Sequence, residues 1–359
     1  MGNEAGAART RSPPRMTLDG AILLGSINAD TGEVSEQLHS AIVLRSSDAV
    51  EFVKNWPAEI TATEFCRPEW VLSAWNNLPE LGKPAVAVVR DDDAWAAVAL
   101  TEAGEPGAGT LTFAGQPLGD EHDLVLHRPD QAGELVTALV GLLEDIAAEG
   151  GKKVTLDALA PDGRLTQELR GSPQWALEAE AAPVITPALA RVNAARHARR
   201  MRYLGGRGPL TFGVVTGDEL TVAEGERFLR TRFENWTRQG RIDQLPAVER
   251  LPGFPRFMGT MMCGLAQHKM ARLWVLELDG LRIAEDLHVG PPEDPLLYMR
   301  SYSTDFRKYS PGRILLEETL GQLTARDCAR LRTGRGDELY KLDAGAGQEC
   351  VLRAEFAPK

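Results

Sequence analysis

The two halves of the chain repeat one order of predicted elements, and this repetition limits the possible folds more than any other feature of the sequence. The shared order is a helix, a hairpin, a helix and a strand, as apolar periodicity and turn residues predict. The first copy spans residues 68–75, 85–100, 135–148 and 153–159, and the second spans residues 254–268, 271–289, 313–324 and 329–331. The second half adds predicted strands at 210–215 and 296–302 and a predicted helix at 222–236. No repeat of individual residues accompanies this order. It favours an α+β chain in α/β layers, with two tandem mixed β-sheets flanked by helices.

The length of the chain fits two separate cores. With 359 residues it is about twice as long as a common single domain. Residues 1–45 are predicted to be an N-terminal arm, partly disordered, because the Gly-, Ala-, Arg- and Pro-rich start has no apolar period. The first domain is predicted over residues 46–190 and the second over residues 191–359.

Composition excludes several classes of protein. No run approaches the roughly 20 apolar residues that cross a bilayer, and Ala21–Leu24 is too short for the core of a signal peptide. A membrane span is therefore not expected, and a cytoplasmic location is. The four cysteines have neither metal-ligand nor disulfide-framework spacing, so no metal site is predicted. A formal charge of −11 opposes general DNA binding and leaves phosphate recognition to local basic clusters.

One such cluster lies between the two halves. Residues 191–202 carry five arginines in a segment with helical character. Such a segment can be a solvated helix between domains, or it can face the phosphates of a nucleotide cofactor or a carrier protein. The sequence leaves both interpretations open.

The segment from Tyr302 to Leu316 is the clearest candidate binding element. A predicted strand ends there, a short basic turn follows, and an apolar helix starts at once. The first amides of a helix have no intrahelical acceptor and its dipole favours negative charge, so this turn could bind a pyrophosphate. A plain structural turn is the alternative, because many helices start after Pro-Gly. The candidate cofactor-binding residues are Arg307, Lys308, Tyr309, Ser310, Pro311, Gly312 and Arg313.

Four short motifs carry a family resemblance. They are residues 307–312 with the leucine-rich helix after them, residues 335–341, residues 68–70 and residues 233–236. With these motifs, about three-quarters of the chain, from Thr63 to Lys341, resembles GNAT acetyltransferases of the BioF2-like or cellulose-biosynthesis CelD type, relatives of the FemABX aminoacyl transferases. The resemblance implies two tandem GNAT-like sheets, a degenerate first copy, and an acyl-thioester site in the second. The polar strand 282–288 and the lack of a Trp after Lys341 depart from the family pattern.

The polar strand supplies candidate catalytic residues. Strict alternation would place Asp286 and His288 on one face with Arg282, and Glu285 on the other. Acyl transfer from a thioester to an amine needs a group that takes the amine's proton and a group that neutralises the thiolate. Asp286 or His288 is the candidate base, Tyr340 the candidate acid, and Glu285 a candidate for acceptor recognition. Solvated residues on a hairpin edge, and a packed Tyr340, are the structural alternatives.

The function predicted first is N-acyl transfer from acyl-CoA or an acyl carrier protein to an amine-bearing small molecule or peptide, in specialised metabolite or lipopeptide biosynthesis. The acyl-CoA or acyl-phosphopantetheine is expected to act as a co-substrate, with no tightly bound cofactor. Aminoacyl-tRNA-dependent amide formation of the FemABX kind is the second hypothesis, suggested by the kinship and the basic linker. A non-catalytic binding or scaffold protein is the third.

Overall fold

The structure is a computed structural model and describes residues 22–27, 34–57, 60–104 and 109–356. The helices are α1 Ser46–Lys54, α2 Pro68–Asn77, α3 Gly133–Gly150, α4 Arg164–Gly171, α5 Ala194–Gly205, α6 Val222–Arg238, α7 Phe254–Gln267, α8 Pro311–Thr324 and α9 Leu339–Asp343. The strands are β1 Ile22–Ile27, β2 Val34–Arg45, β3 Ile60–Thr61, β4 Lys83–Asp91, β5 Ala94–Ala103, β6 Thr110–Phe113, β7 Val125–His127, β8 Lys153–Leu159, β9 Trp175–Ala181, β10 Val184–Ile185, β11 Leu210–Thr216, β12 Ala271–Leu278, β13 Leu281–Val289, β14 Leu296–Tyr302, β15 Leu331–Arg332 and β16 Cys350–Phe356. None of the described helices is long and apolar enough to cross a bilayer.

Local signals begin and end these elements as the sequence predicts. Pro68 occupies the first turn of α2, where its missing N–H costs nothing. The side chain of Thr221 accepts a hydrogen bond from the amide of Glu224 and caps α6. Asp279 and Gly280 both have positive φ, at 52° and 75°, as a two-residue hairpin turn between β12 and β13 requires.

The strands form two mixed sheets. The first has the order β1-β2-β4-β5-β6-β8-β16-β9, with β7 paired to β5 and β3 to β7, and the second has the order β10-β15-β14-β13-β12-β11. Most neighbours are antiparallel. The parallel pairs are β6 with β8 and β14 with β15, and a helix lies in each connection, α3 in the first and α8 in the second. The predicted fold class, two tandem mixed sheets flanked by helices, is confirmed.

Sheet membership does not follow the predicted boundary after residue 190. The strand β16, from the C-terminal part of the chain, pairs with β8 and β9 in the first sheet. The strand β10, from before the boundary, pairs with β15 in the second. Residues 34–45, predicted as part of the arm, form β2, and its residues 40–45 pair with β4. Residues 1–21 lie outside the described part of the chain. The two halves therefore exchange strands.

One hydrophobic core joins the halves. Helices α1 and α2 from the first half and α6 and α7 from the second bury side chains in the same cluster. The rings of Trp70 and Phe257 meet edge-on there, with centroids 5.2 Å apart. A Cβ on Gly225 would lie 2.7 Å from the Cα of Gly259, so the close packing of α6 on α7 needs glycine there. This shared core fixes the position of the first sheet against the cleft described next.

Candidate functional site

A cleft opens where the parallel strands β14 and β15 separate. The two strands pair at Leu296 and Arg332 and then diverge. The cleft has a volume of about 920 Å³ and is lined on one side by residues of β14 and on the other by residues 333–336, which follow β15. The start of α8 closes one end. The structure thus places an open cavity at the turn predicted from the sequence.

The strand β14 has a bulge in the wall of this cleft. Leu287 of β13 pairs with Met299, and the next residue, His288, pairs with Leu297, so Tyr298 is the extra residue. A bulged residue leaves the ladder of hydrogen bonds locally interrupted. The pairing of β14 with β13 is therefore irregular at Tyr298, in the wall of the cleft.

Residues 310–313, which form the N-terminal end or mouth of α8, line the cleft as an anion-binding turn would. Ser310 adopts a left-handed conformation with φ 55°, and Pro311 is the first helical residue. The amides of Arg313 and Ile314 both donate to the carbonyl oxygen of Ser310. In the described structure the amide of Gly312 has no protein acceptor. One backbone N–H therefore stays open, fewer than the several that a bare helix terminus would offer.

The candidate cofactor-binding residues divide into two groups. Arg307, Ser310, Pro311, Gly312 and Arg313 line the cleft. Lys308 and Tyr309 are not among its lining residues.

Tyr309 instead packs near α5, where its hydroxyl accepts a hydrogen bond of 2.6 Å from Nε of Arg207. Lys308 lies over the Tyr309 ring. Arg313 donates to Oε1 of Glu317 at 2.7 Å, so part of its charge is already neutralised.

The cleft is positively charged although the chain is acidic overall. Of the described residues that line it, seven are cationic and four are acidic, whereas the formal charge of the chain is −11. Arg307 lines the cleft and has no ion pair with another described residue. An anionic ligand would find both an open amide and an unpaired guanidinium at the same end.

A buried lysine holds the loop opposite β14. The ammonium of Lys341, 1% exposed, donates to the carbonyl oxygens of Gly334, Arg335 and Gly336 at 2.8 to 3.0 Å. It also pairs with Glu338 at 2.7 Å. A buried ammonium is tolerated only with such partners. Lys341 therefore shapes the second wall of the cleft rather than offering a free charge.

Tyr340 is the candidate catalytic residue that lines the cleft. The guanidinium of Arg300 lies 4.8 Å from the centre of its ring. Burial raises the pKa of the Tyr340 hydroxyl to about 12, so the group stays protonated at neutral pH. A protonated phenol in this position can donate a hydrogen bond to a ligand.

Asp286 is buried and bonded to Arg300. Its two carboxylate oxygens accept hydrogen bonds of 2.9 Å from Nε and Nη2 of Arg300. The residue is 0% exposed and is not among the lining residues of the cleft. Arg300 also donates to the carbonyl oxygen of Gly312 at 2.5 Å. Asp286 therefore orients the guanidinium that touches both the mouth of α8 and the ring of Tyr340.

His288 also lies away from the cleft. It is 0% exposed, and neither ring nitrogen has a hydrogen-bond partner among the described residues. Burial lowers the pKa of its imidazole to about 3, so the ring is neutral at physiological pH. Its ring centroid is 6.0 Å from that of Trp274 in the apolar layer under α8.

The predicted face of Arg282 is wrong because β13 contains a bulge. Glu277 pairs with Arg282 and Leu276 pairs with Ala284, which leaves Ile283 as the extra residue. Arg282 consequently shares a face with Glu285, which lies 3.3 Å away and is also bonded to Arg227 of α6. Glu285 is 2% exposed and is not among the lining residues of the cleft.

Sequence reasoning missed several residues of the cleft. Arg232 and Trp236 come from α6, and the guanidinium of Arg232 lies 5.2 Å from the Trp236 ring centre. Glu249 comes from the short 3₁₀ turn after α6, and Leu118 comes from the first half. Trp236 belongs to a motif of the resemblance, but no local pattern marks Glu249 or Leu118, because their role depends on long-range packing.

A family model matches the part of the chain that forms most of the second sheet. Residues 192–342 match the family model described as an acetyltransferase (GNAT) domain. The match covers the second sheet from β11 to β15, α8 and most of the residues that line the cleft. The GNAT resemblance predicted from the sequence is confirmed for these residues.

Solved structures share the fold over both halves. FemX matches with a TM-score of 0.52 and 11% identity, covering 89% of this chain and 97% of FemX. The C-terminal DUF2156 domain of an Agrobacterium fabrum protein assigned as a lysylphosphatidylglycerol synthetase matches with a TM-score of 0.52, 13% identity and coverage of 79% and 90%. A Bacteroides thetaiotaomicron protein of unknown function matches with a TM-score of 0.52, 13% identity and coverage of 81% and 90%. No curated protein sequence matches the chain.

Proposed function

We propose that the chain, whose residues 192–342 are a GNAT acetyltransferase domain, is an N-acyltransferase that moves an acyl group from a coenzyme A or carrier-protein thioester to an amine. One observation carries the proposal. The parallel strands β14 and β15 separate around an open cleft, and the mouth of α8 lies at its end. A thioester with a phosphate-bearing arm has the charge and the length to fill such a cleft.

The donor is proposed to bind with its phosphates at the mouth of α8. The amide of Gly312 is open, and Arg307 has no ion pair with a described residue. The helix dipole adds to this positive potential. From there the pantetheine arm follows β14 toward the bulge at Tyr298, whose interrupted ladder leaves backbone groups to bind the thioester.

The reaction needs no covalent enzyme intermediate. The amine nitrogen attacks the thioester carbon, the C–N bond forms as the nitrogen loses a proton that passes to solvent, the C–S bond breaks, and the thiolate leaves. Tyr340 is proposed to supply the proton that neutralises the sulfur, and water then reprotonates the phenolate. Arg300 lies over the Tyr340 ring and Asp286 orients Arg300, so Asp286 acts as a positioning residue. Positioning and fixed dipoles supply the rest of the rate enhancement.

A second candidate, aminoacyl-tRNA-dependent amide formation, is favoured by the arginines of α5. Arg196, Arg199 and Arg202 are exposed on that helix, and α5 is bonded to α8 through His197 and Glu317 at 2.7 Å. A nucleic acid bound there would have its end near the mouth of α8. The strong acidity of the rest of the chain opposes this candidate.

The experiment that tests the proposed function is a thiol-release assay. The purified protein is incubated with acetyl-CoA, or with a longer acyl-CoA, and with a panel of ethanolamine, cadaverine, glucosamine and lysine ethyl ester. Amine-dependent release of the CoA thiol, with the amide found by mass spectrometry, is the expected result. Transfer from aminoacyl-tRNA but not from any thioester would favour the second candidate. The absence of both would contradict transferase activity.

A further inference from the structure

Most charged side chains in the cleft form ion pairs or hydrogen bonds with other side chains. Asp120 accepts a 3.0 Å hydrogen bond from Arg335. Glu180 and Glu338 are more than half exposed, and Glu338 is paired with Lys341. These carboxylates are therefore neutralised by a close cation or by solvent, which leaves one acid in the cleft to account for.

That acid is Glu249, in the 3₁₀ turn Ala247–Arg250 after α6. Its side chain is 9% exposed and lines the cleft. Its Oε2 lies 3.4 Å from the guanidinium of Arg232, at the outer limit of a hydrogen bond. Its Oε1 has no protein partner among the described residues and is not among the buried unpaired atoms, so it faces the cleft.

Glu249 is connected to β14 through Arg232. Arg232 faces Glu249 and also donates a 2.6 Å hydrogen bond to the carbonyl oxygen of Arg300. The hydroxyl of Tyr298, at the bulge, has no protein partner in the described structure. Burial, together with the negative charges of Asp120 and Glu249, raises the pKa of Tyr298 well above its usual value. A carboxylate oxygen and a protonated phenol therefore both line the same cleft.

We propose that Glu249 is the catalytic base for the transfer and that Glu249 and Tyr298 together bind the acceptor as a primary amine. This inference rests on the proposed function. The nitrogen gives one proton to Oε1 of Glu249 as the C–N bond forms, and Glu249 passes that proton to water after the thiol leaves. The Tyr298 hydroxyl accepts a hydrogen bond from the same nitrogen and orients its lone pair toward the thioester carbon.

The test uses the amine from the panel that gives the highest wild-type rate with acetyl-CoA. Glu249→Gln keeps the shape of the side chain and removes the base, so we expect kcat to fall about 100-fold or more while coenzyme A affinity stays within about twofold. Glu234→Gln, on the exposed face of α6 outside the cleft, is the matched control and should match the wild type.

A second variant separates catalysis from folding. Glu249→Ala leaves room at the base position, so added formate should restore part of the lost rate, and chloride at equal ionic strength should not. A wild-type rate in Glu249→Gln, or no formate rescue of an inactive but coenzyme A-binding Glu249→Ala, would overturn this inference alone. A wild-type protein that transfers to no amine would overturn the proposed function and this inference with it.

Discussion

The described residues form two parallel strand pairs of the same topology, β6 with β8 and β14 with β15, but the space between the strands differs. Between β14 and β15 lies the open cleft. Between β6 and β8 the protein fills the gap with its own residues. Oε1 of Gln116 accepts hydrogen bonds from the amides of Phe113 and Asp157, at 3.2 and 3.1 Å, and so bridges the two strands. The ring of His122 stacks on Phe113 with centroids 4.5 Å apart.

The helices that connect the two strands of each pair, α3 and α8, also begin differently. The first turn of α8 contains Gly312 and Arg313, and Arg307 precedes it. The first turn of α3 contains Glu134, which disfavours an anion at a helix N-terminus. The first half therefore lacks both the space and the charge for a phosphate-bearing donor.

The first half still contributes residues to the wall of the cleft in the second half. The loop that fills the gap between β6 and β8 continues into Pro117, Leu118 and Asp120, and these residues line the cleft of the second half. The loop that fills the gap in the first half therefore also forms part of the cleft wall in the second. The difference teaches that the same strand topology can surround an open gap in one half and a filled gap in the other.

The largest effect is expected at Lys341, which holds the open cleft. Lys341→Met leaves three carbonyl oxygens, one buried and two half-buried, without this donor, so we expect a loss of about 3–5 kcal/mol in the free energy of unfolding. Urea denaturation followed by tryptophan fluorescence measures it. Glu338→Gln is the control and should cost under about 1 kcal/mol, because Glu338 is more than half exposed. A loss below about 1 kcal/mol in Lys341→Met would refute this role.

A smaller effect is expected in the closed gap. Gln116→Leu leaves the amides of Phe113 and Asp157 without their acceptor, which should destabilise the protein by about 1–3 kcal/mol. Coenzyme A affinity should stay within twofold of the wild type, as titration calorimetry can measure. Gln116→Glu keeps the acceptor oxygens and should lose less stability. Weaker coenzyme A binding in Gln116→Leu alone would show that the two gaps are coupled.

Each half contains a buried histidine with a lowered pKa, and the pH dependence of stability tests this shared feature. His122 and His288 are both buried, and burial lowers the pKa of each to about 3. The unfolded chain takes up protons on these residues below its ordinary histidine pKa of about 6.5, while the folded chain does not. Stability is therefore lost as the pH falls from about 6.5 toward 3.

Replacing one of these histidines should flatten the acid side of the stability curve. His288→Leu should unfold with about 1 kcal/mol less change per pH unit between pH 6.5 and 4.5, and with little change at pH 7.5, since neither ring nitrogen is bonded in the described structure. Urea titrations at several pH values measure this slope. An unchanged slope would mean that the imidazole is protonated in the folded protein.

The sequence predicted the elements better than their contacts. Periodicity and turn residues placed α6, α7, the β12–β13 hairpin and α8, because these signals are local. The bulge at Ile283 reversed the face of Arg282, since register depends on the partner strand. The bond between Asp286 and Arg300 and the place of Glu249 in the cleft are set by packing between distant segments. The same is true of β16 in the first sheet, which no local pattern assigns to a partner.

Gly312 and Gly133 allow a matched test of the proposed donor site. Gly312 lies in the first turn of α8, beside the open cleft, and Gly133 lies in the first turn of α3, which connects β6 and β8. A Cβ at Gly312 would meet its neighbours at 3.6 Å or more, and a Cβ at Gly133 would meet nothing within 4 Å, so neither side chain is excluded by space. Titration calorimetry with coenzyme A on Gly312→Asp, Gly312→Ala and Gly133→Asp isolates charge at each helix mouth. We predict at least tenfold weaker binding for Gly312→Asp, and affinity near that of the wild type for the other two. Equal affinity in Gly312→Asp and the wild type would contradict a donor site at the open cleft.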